Sequence, residues 1–374
     1  MNDILWIVPN LNEDFEVIKT NVNKMVIFSQ KNNFSYKILV MDGGSNYKLL
    51  KKIKNLVNDN ILLLSVLPAM RPTKNKGIKD ALFLFKSKIV CIVDADCLNL
   101  NNYVLKNLTK PVLSGKYDIS LPFVTKSGGR INRLVCNPLL HLLLPEVRKK
   151  IKFPLSGIIS LRYELLKSIT KKEDYFWDWG GEIQILIQSV LNTNKINQFH
   201  FNKIDAKKRS MQSKRVDSLQ ITRAILYEYF KQTNSIRYTK KSIFKGRYSF
   251  TNFEKYCIDE LVSNVFDEVF LNKQFNRKTM RNISASKIDF LEFTKAEKAV
   301  TNIYENKLSN SLNKKNIQSF MKKVGAVIKN QKSFNDTRSI DIFNMKNEQL
   351  FKLSKVYNSK MSNHLKINNI LKIK

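Results

Sequence analysis

Two carboxylates, Asp94 and Asp96, stand one residue apart directly after the run Lys88–Val93. A short, mostly apolar run rich in β-branched residues predicts a strand that is buried on both faces. Carboxylates at the end of such a strand lose hydration, and a cation compensates for that loss. Their hard oxygen atoms favour Mg²⁺ or Mn²⁺, which proteins hold with one or two carboxylates plus substrate phosphates. The spacing therefore indicates a metal–diphosphate site, with a metal-free acidic turn as the alternative.

The elements upstream of this acidic turn repeat one arrangement, in which a strand pattern ends in a polar turn and a helical pattern follows. The strand patterns are Ile4–Val8, Tyr36–Met41 and Ile61–Val66. The turns after the first two are Pro9–Glu13 and Asp42–Ser45. Strands that alternate with helices predict right-handed βαβ units and a parallel sheet, whose carboxyl ends meet at one crevice.

The residue types in these turns suit a nucleotide. Asp42 can accept hydrogen bonds from a nucleoside, and Gly43 lets the backbone approach it closely. Lys76, at the start of a predicted helix, would meet a diphosphate with its own charge and with the helix dipole. The dinucleotide and Walker glycine fingerprints are absent from the sequence. Each turn alone also fits an ordinary loop, but their order along the chain predicts a nucleotide-binding α/β half.

A second block of elements follows, with strands predicted at Tyr117–Val124, Ile158–Leu161 and Gln198–Ile204 and helices at Ile131–Leu144 and Ile183–Val190. Arg130 follows two glycines and can grip a phosphate or carboxylate with two parallel hydrogen bonds. Glu182 precedes the second helix, where an acid is favoured by the helix dipole and also suits catalysis. Both interpretations of Glu182 stay open at this point.

The composition limits the class of protein but does not identify its binding partner. The chain has 374 residues, 43% apolar content and a formal net charge of +34. This charge suits nucleic acid, an anionic membrane surface or a phosphorylated substrate, or reflects a general bias towards Lys and Asn. No recognisable nucleic-acid-reading module occurs, so we do not expect nucleic acid as the partner. Without a long apolar run, a basic leader or a CxxC pair, we expect a cytoplasmic protein with reduced thiols.

Taken together, the motifs resemble those of GT-A-fold glycosyltransferases that use sugar nucleotides. The second block narrows the resemblance to glucosyl-3-phosphoglycerate synthases and, more loosely, mannosylglycerate synthases. The segments that carry it are Gly129–Leu140, Leu144–Glu146, Pro154–Gly157 and Gly181–Ile183. The resemblance covers about residues 4–230. It implies metal-dependent, retaining transfer of glucose from UDP-glucose to 3-phosphoglycerate or a similar small phosphorylated or carboxylated acceptor, with Mg²⁺ or Mn²⁺ as cofactor.

The resemblance also implies roles for individual residues. Asp96, Glu182 and Lys76 would be catalytic. The donor would be held by Pro9, Leu11, Asn12, Glu13, Asp42, Ser45, Lys76, Asp94 and Ala95. The acceptor would be held by Gly129, Arg130 and Asn132.

Two positions depart from the family pattern. Asn132 stands where the family has threonine, an exchange of one polar donor for another. Met211 stands where a histidine is expected to complete the metal site, and a thioether is a poor ligand for Mg²⁺ or Mn²⁺. His200, the only nearby histidine, fits a strand position. The metal would then rest on Asp96, the diphosphate and waters, with Asp94 as an alternative protein ligand, or the acceptor specificity has changed.

We therefore expect an α/β protein with a GT-A, Rossmann-like, mostly parallel sheet flanked by helices. Residues 1–124 would form the nucleotide-sugar-binding half, 125–230 the acceptor and metal half, and 231–374 a helical C-terminal region that packs on the core or forms a homodimer. One alternative is a transferase that acts on a lipid or glycan at the membrane surface, which the basic charge suits. The other is a non-enzymatic nucleic-acid-binding protein.

Overall fold

The structure is a computed structural model that describes residues 1–64, 74–124, 131–201, 211–233, 300–306, 308–309 and 313–333. The chain divides into two compact units. The first comprises Met1–Leu121, Gly157–Thr170 and Gln331–Lys374, and the second comprises Pro122–Ser156 and Lys171–Asn330. No helix in these described ranges is long and apolar enough to cross a membrane.

The described strands follow the sheet order β3-β2-β1-β4-β6-β5-β7. They are β1 (Asn2–Asn10), β2 (Tyr36–Asp42), β3 (Ile61–Leu64), β4 (Ser87–Val93), β5 (Ile119–Val124), β6 (Ile158–Arg162) and β7 (Ile196–Phe201). The first four pair in parallel, whereas β6 runs antiparallel to β4 and β5. The predicted α/β class with a mostly parallel sheet is confirmed.

The helices of the described residues lie between these strands and after the last of them. They are α1 (Phe15–Lys31), α2 (Tyr47–Lys54), α3 (Lys74–Leu84), α4 (Asn102–Leu113), α5 (Asn137–Leu143), α6 (Pro145–Lys150), α7 (Tyr163–Thr170), α8 (Trp179–Asn192), α9 (Met211–Gln232) and α10 (Lys314–Ser333). The sequence patterns did not assign α4, which contains Pro111, or α7, which has only 8 residues. The single helix predicted over Ile131–Leu144 is instead a π-helical turn, Asn132–Cys136, that continues into α5.

The core of the first unit lies on both faces of β1. Residues Ile4–Val8 are all 0% exposed, because β1 pairs with β2 on one side and with β4 on the other while helices cover its faces. Asp14 caps α1 by accepting a hydrogen bond from Glu16 N, and Trp6 Nε1 donates to Ser29 Oγ of that helix at 3.2 Å. The strand order reverses direction between β1 and β4, so their carboxyl ends flank a topological switch point.

The second unit is mainly helical and includes part of the C-terminal region. The aromatic ring of Phe230 in α9 lies 5.7 Å from that of Phe320 in α10. Residues 300–306 are also helical, and Tyr304 from this segment is buried. The predicted helical C-terminal region is confirmed for these residues.

Candidate functional site

In the first unit, hydrogen bonds join the turn after β1 to the turn after β2. Asn10 Nδ2 donates to Asp42 Oδ1 at 2.8 Å and to Ser45 Oγ at 3.2 Å. Asn12 N donates to Ser45 Oγ at 2.7 Å, and Asn46 N donates to Asn12 Oδ1 at 2.9 Å. Asn12 has a φ of 54°, in the left-handed region that asparagine tolerates better than most residues. The two strand ends therefore form one polar edge of fixed shape.

The carboxylate of Asp42 lies beneath this edge and is 0% exposed. Its Oδ2 accepts hydrogen bonds from Gly44 N at 2.8 Å and from Ser45 N at 2.9 Å. Gly43 N donates to Asn10 O at 2.7 Å, and a Cβ at Gly43 would lie only 3.3 Å from that oxygen. Asp42 therefore shapes the turn from inside, and its predicted contact with a nucleoside stays a prediction.

Several of the residues predicted to hold the donor lie along the same edge. Leu11 is 52% exposed, and Asn12 is exposed beside it. Pro9 and Glu13 are half-buried, whereas Ser45 is fully buried in the hydrogen-bonded turn. Ligands of open α/β sheets bind outside the carboxyl ends of the strands, which is where these side chains lie.

The Asp94–Asp96 turn follows β4 and is held from two neighbouring segments. Ala95 N donates to Pro9 O at 3.1 Å, and Asp94 N donates to Gly157 O at 2.9 Å. Gly157 has a φ of +70°, which favours glycine. A Cβ at Gly157 would lie 2.4 Å from Asp94 Oδ2, so the backbone at residue 157 approaches the carboxylate as only glycine allows.

Lys74, the first residue of α3, supplies a cation to this turn. Its Nζ lies 2.6 Å from Asp94 Oδ1, and the two side chains are 13% and 21% exposed. Helix α3 begins at Lys74 rather than near Ile78, so Lys76 lies within its first turn. There Lys76 Nζ lies 2.5 Å from Asp80 Oδ1, and its predicted role at a diphosphate stays a prediction. The sequence analysis did not identify Lys74 as a site residue. Its only signal was its position in the loop before Lys76.

The charges of both carboxylates of the turn act on one thiol, that of Cys97. Burial raises the pKa of Cys97 to about 12, and the charges of Asp94 and Asp96 add to that rise. Asp96 itself is 9% exposed. Two carboxylates with hard oxygen atoms in one place fit the preference of Mg²⁺ or Mn²⁺. Within the described part of the chain, no three His, Cys, Asp or Glu side chains form a metal-binding group.

In the second unit, Asn132 joins the π-helical turn to the loop around residue 155. Asn132 Nδ2 donates to Leu155 O at 2.8 Å, and Leu155 N donates to Asn132 Oδ1 at 2.9 Å. Asn132 is 3% exposed. The predicted contact of Asn132 with the acceptor stays a prediction, and Gly129 and Arg130 lie outside the described residues.

Glu182 lies in the first turn of α8, whose start is fixed by a buried ion pair. Asp178 Oδ1 accepts a hydrogen bond from Gly180 N at 2.8 Å and caps the helix. Arg223 Nη2 lies 2.6 Å from Asp178 Oδ2, and these side chains are 0% and 3% exposed. Burial raises the pKa of Cys136 in the π-helical turn, and the charge of Glu182 raises it further.

The remaining predicted metal position is Met211. It is the first residue of α9, but its side chain lies outside the described part, so its replacement of a metal-binding histidine stays a prediction. His200 lies in β7, with its ring 6.5 Å from that of Phe123 in β5. The interpretation of His200 as a strand residue is confirmed.

A buried carboxylate lies between α8 and α9. Gln184 Nε2 donates to Glu228 Oε1 at 2.7 Å, and Gln188 Nε2 donates to Glu228 Oε2. Glu228 is 0% exposed. Burial raises the pKa of Glu228 above its ordinary 4.5, although the two glutamines and the charge of Lys231 oppose that rise. The folded protein therefore holds a proton on Glu228 at pH values where the unfolded chain has lost it.

This shift predicts a pH dependence of stability. As the pH rises from 4.5 through the raised folded pKa, the folded chain binds more protons than the unfolded chain, so the free energy of unfolding falls. Glu228→Gln should remove the part of the fall in the free energy of unfolding with pH that Glu228 causes. Urea unfolding at a series of values between about pH 4 and pH 8 measures it. Glu164→Gln, at an exposed position of α7, is the control, and the same slope in Glu228→Gln and the parent chain would contradict the prediction.

Comparison with known proteins finds similarity to glucosyl-3-phosphoglycerate synthases. The synthase of Petrotoga mobilis is 28% identical over 193 residues, which are 48% of this chain and 58% of the relative. The synthase of Mycobacterium tuberculosis is 26% identical over 204 residues, or 49% of this chain and 59% of the relative. The chain thus spans less than two thirds of the length of these relatives. No model of a protein family matches it.

Crystal structures of the Mycobacterium tuberculosis synthase have a similar fold. One contains Mn²⁺, UDP-glucose and phosphoglyceric acid, has a TM-score of 0.51 at 22% identity, and is matched over 61% of this chain and 80% of that chain. Another contains Mn²⁺, UDP and glucosyl-3-phosphoglycerate, with a TM-score of 0.51 at 22% identity over 60% of this chain and 79% of that chain. The chain therefore has the α/β fold of glucosyl-3-phosphoglycerate synthases and resembles these glycosyltransferases in sequence over about half its length.

Proposed function

We propose that this chain is a metal-dependent glycosyltransferase that moves glucose from UDP-glucose to 3-phosphoglycerate or a similar small phosphorylated or carboxylated acceptor. The observation that carries the proposal is the polar edge of the first unit, where the ends of β1, β2 and β4 are joined by hydrogen bonds. This edge lies beside the switch point of the sheet, where open α/β folds bind ligands. The similarity to synthases whose structures contain UDP-glucose supports the same donor.

The donor would lie along this edge in the order in which the motifs occur in the sequence. The uridine would lie against Pro9, Leu11, Asn12, Glu13 and Ser45, and Asp42 would hold their turn in shape. The ribose and diphosphate would lie along Asp94, Ala95 and the start of α3. Lys74 lies 2.6 Å from Asp94 and would add a positive charge beside the diphosphate, together with Lys76.

The metal would be held by Asp96, with Asp94 as the second carboxylate. A bound Mg²⁺ or Mn²⁺ supplies a Lewis acid that neutralises the charge of the leaving diphosphate. Lys74 keeps the Asp94 carboxylate oriented through their ion pair. Gly157 leaves room for the same carboxylate, because a Cβ at this position would lie 2.4 Å from Asp94 Oδ2.

The acceptor would be held by residues of the second block of the sequence. Arg130, preceded by Gly129, would grip the phosphate or carboxylate of the acceptor bidentately, and Asn132 would lie beside it. In the transfer, the bond between the anomeric carbon and the diphosphate oxygen breaks, the acceptor oxygen bonds to that carbon, and the proton of the acceptor hydroxyl passes to the leaving diphosphate. Glu182 would lie beside the reacting sugar. We expect retention at the anomeric carbon, as the family resemblance implies.

A panel of sugar nucleotides tests the proposal. UDP-glucose, UDP-galactose, ADP-glucose and GDP-mannose are each combined with 3-phosphoglycerate and with glycerate, with Mn²⁺, with EDTA, and with Mn²⁺ restored after EDTA. We expect glucose transfer from UDP-glucose to 3-phosphoglycerate, loss with EDTA and recovery with Mn²⁺. Proton NMR of the new anomeric centre reports whether its configuration is retained. Purified protein that consumes no sugar nucleotide, with or without divalent ions, would overturn the proposal.

A further inference from the structure

Pro138 removes one donor from the backbone of the second unit. In an α-helix the carbonyl of Leu134 would accept a hydrogen bond from the N–H of residue 138, but proline has no N–H. The helix widens at this point, and Asn137 N donates to Asn132 O, five residues back, in the π-helical turn. A buried carbonyl that loses its helical donor needs another one, because an unmade hydrogen bond in the interior is destabilising.

Tyr304 supplies a donor to this carbonyl from 170 residues further along the chain. Its hydroxyl donates to Leu134 O at 3.0 Å, and the side chain is 0% exposed. Burial raises the pKa of Tyr304, so the hydroxyl keeps the proton that it donates. The tyrosine hydroxyl thus gives Leu134 O a hydrogen bond that Pro138, without an N–H, cannot supply.

The register of this turn decides where Asn132 points. A return to α-helical register would rotate the residues before the π-helical turn by about 100° relative to α5. In the π register, Asn132 makes its two hydrogen bonds with the Leu155 backbone, at 2.8 and 2.9 Å. Tyr304 and Leu155 therefore hold the same turn from two segments of the second unit.

We propose that Tyr304 is a positioning residue that holds the π-helical turn Asn132–Cys136 and thereby fixes Asn132, with the Leu155 backbone bonded to it, beside the acceptor. The placement beside the acceptor rests on the proposed function, whereas the effect of Tyr304 on the turn does not. The proposal gives residues 300–306 a role in substrate binding that no sequence motif indicates.

Tyr304→Phe tests the hold on the turn, because it removes only the hydroxyl. Leu155 N–H is the probe, since it donates to Asn132. We expect its hydrogen exchange to become about tenfold faster, the effect of losing one buried hydrogen bond. Tyr163→Phe is the matched control, because that hydroxyl also donates to a backbone carbonyl, Leu82 O, at 2.7 Å but in the first unit. Unchanged exchange at Leu155 in Tyr304→Phe would overturn the proposal.

The same substitution in a Pro138→Ala background tests whether the missing N–H of Pro138 is the reason for the contact between Tyr304 and Leu134. Alanine restores an N–H that can donate to Leu134 O, so the tyrosine hydroxyl should matter less. We expect Tyr304→Phe to accelerate exchange at Leu155 by a smaller factor in this background than in the parent chain, which a double-mutant cycle measures. An equal factor in both backgrounds would show that the missing amide of Pro138 is not the reason for the contact.

Kinetics separate positioning from a general loss of structure. In Tyr304→Phe we expect the KM for the phosphorylated acceptor to rise about tenfold, with the KM for UDP-glucose within about twofold of the parent value. Equal rises in both constants would contradict the positioning role. If the parent chain transfers no sugar, the proposed function fails, while the exchange measurements still decide whether Tyr304 holds the turn.

Discussion

Gly157→Ala is expected to slow the proposed glucose transfer by about a hundredfold, because a donor-binding carboxylate, here Asp94, that is misplaced by about 1 Å can cost that much rate. The alanine Cβ would lie 2.4 Å from Asp94 Oδ2 and 3.1 Å from Asp94 Cγ. Aspartate is too short to move its carboxylate away without disturbing the ion pair with Lys74, which is 2.6 Å long. The measurement is kcat/KM for UDP-glucose, together with the affinity for UDP in the presence of Mn²⁺.

Gly115→Ala is the matched control for this variant. Gly115 has a φ of +74°, close to the +70° of Gly157, but a Cβ at Gly115 would have nothing within 4 Å. Both variants therefore carry the same backbone strain, about 1–2 kcal/mol for an L-residue in the left-handed region. Only Gly157→Ala adds the collision with Asp94. Equal losses of activity in the two variants would show that strain, and not the position of Asp94, is responsible.

Asp96→Ala is expected to have the largest effect, a loss of about a thousandfold in kcat/KM. The Lewis-acid contribution of a bound metal is several kcal/mol, and each 1.36 kcal/mol corresponds to a factor of ten in rate. Removing the carboxylate predicted to hold the metal should also weaken the binding of Mn²⁺ in the presence of UDP. Isothermal titration with Mn²⁺ measures that change independently of turnover.

Asp59→Ala controls for the removal of a negative charge from the first unit. Asp59 lies at an exposed position before β3, away from the Asp94–Asp96 turn in sequence. We expect its variant to keep the parent activity and the parent Mn²⁺ affinity. A Mn²⁺ titration of Asp96→Ala that matches the parent chain would remove Asp96 from the metal site, whatever happens to the rate.

The sequence predicted which strand ends meet, because this depends on local patterns. Parallel strands place their carboxyl ends at one edge, so a polar turn after each strand is enough to bring those turns together. The 2.8 Å hydrogen bond from Asn10 to Asp42 and the 3.1 Å bond from Ala95 N to Pro9 O confirm that meeting. The burial of Asp42 was not expected, because its hydrogen bonds come from the tight turn itself and from the neighbouring strand.

Contacts between distant parts of the chain could not be predicted from such patterns. Gly157 meets Asp94 because β6 lies next to β4 and antiparallel to it, and no local pattern specifies that neighbour. The sequence did not indicate a role for Lys74, because its partner, Asp94, lies 20 residues away. The π-helical turn looked like an ordinary helix, since the hydroxyl that contacts it comes from Tyr304, 170 residues from Leu134.

The discontinuous course of the first unit affects the order in which the chain can fold during synthesis. Its sheet takes β6 from Gly157–Thr170, which the ribosome makes only after Pro122–Ser156 of the other unit. The nascent strands β1 to β4 must therefore wait with one edge of β4 open until residue 162 has left the exit tunnel. Meanwhile, the emerging residues 122–156 lack the partners that follow residue 171.

A single cut cannot release either unit as a complete polypeptide, so limited proteolysis between them would yield fragments that stay associated or unfold together.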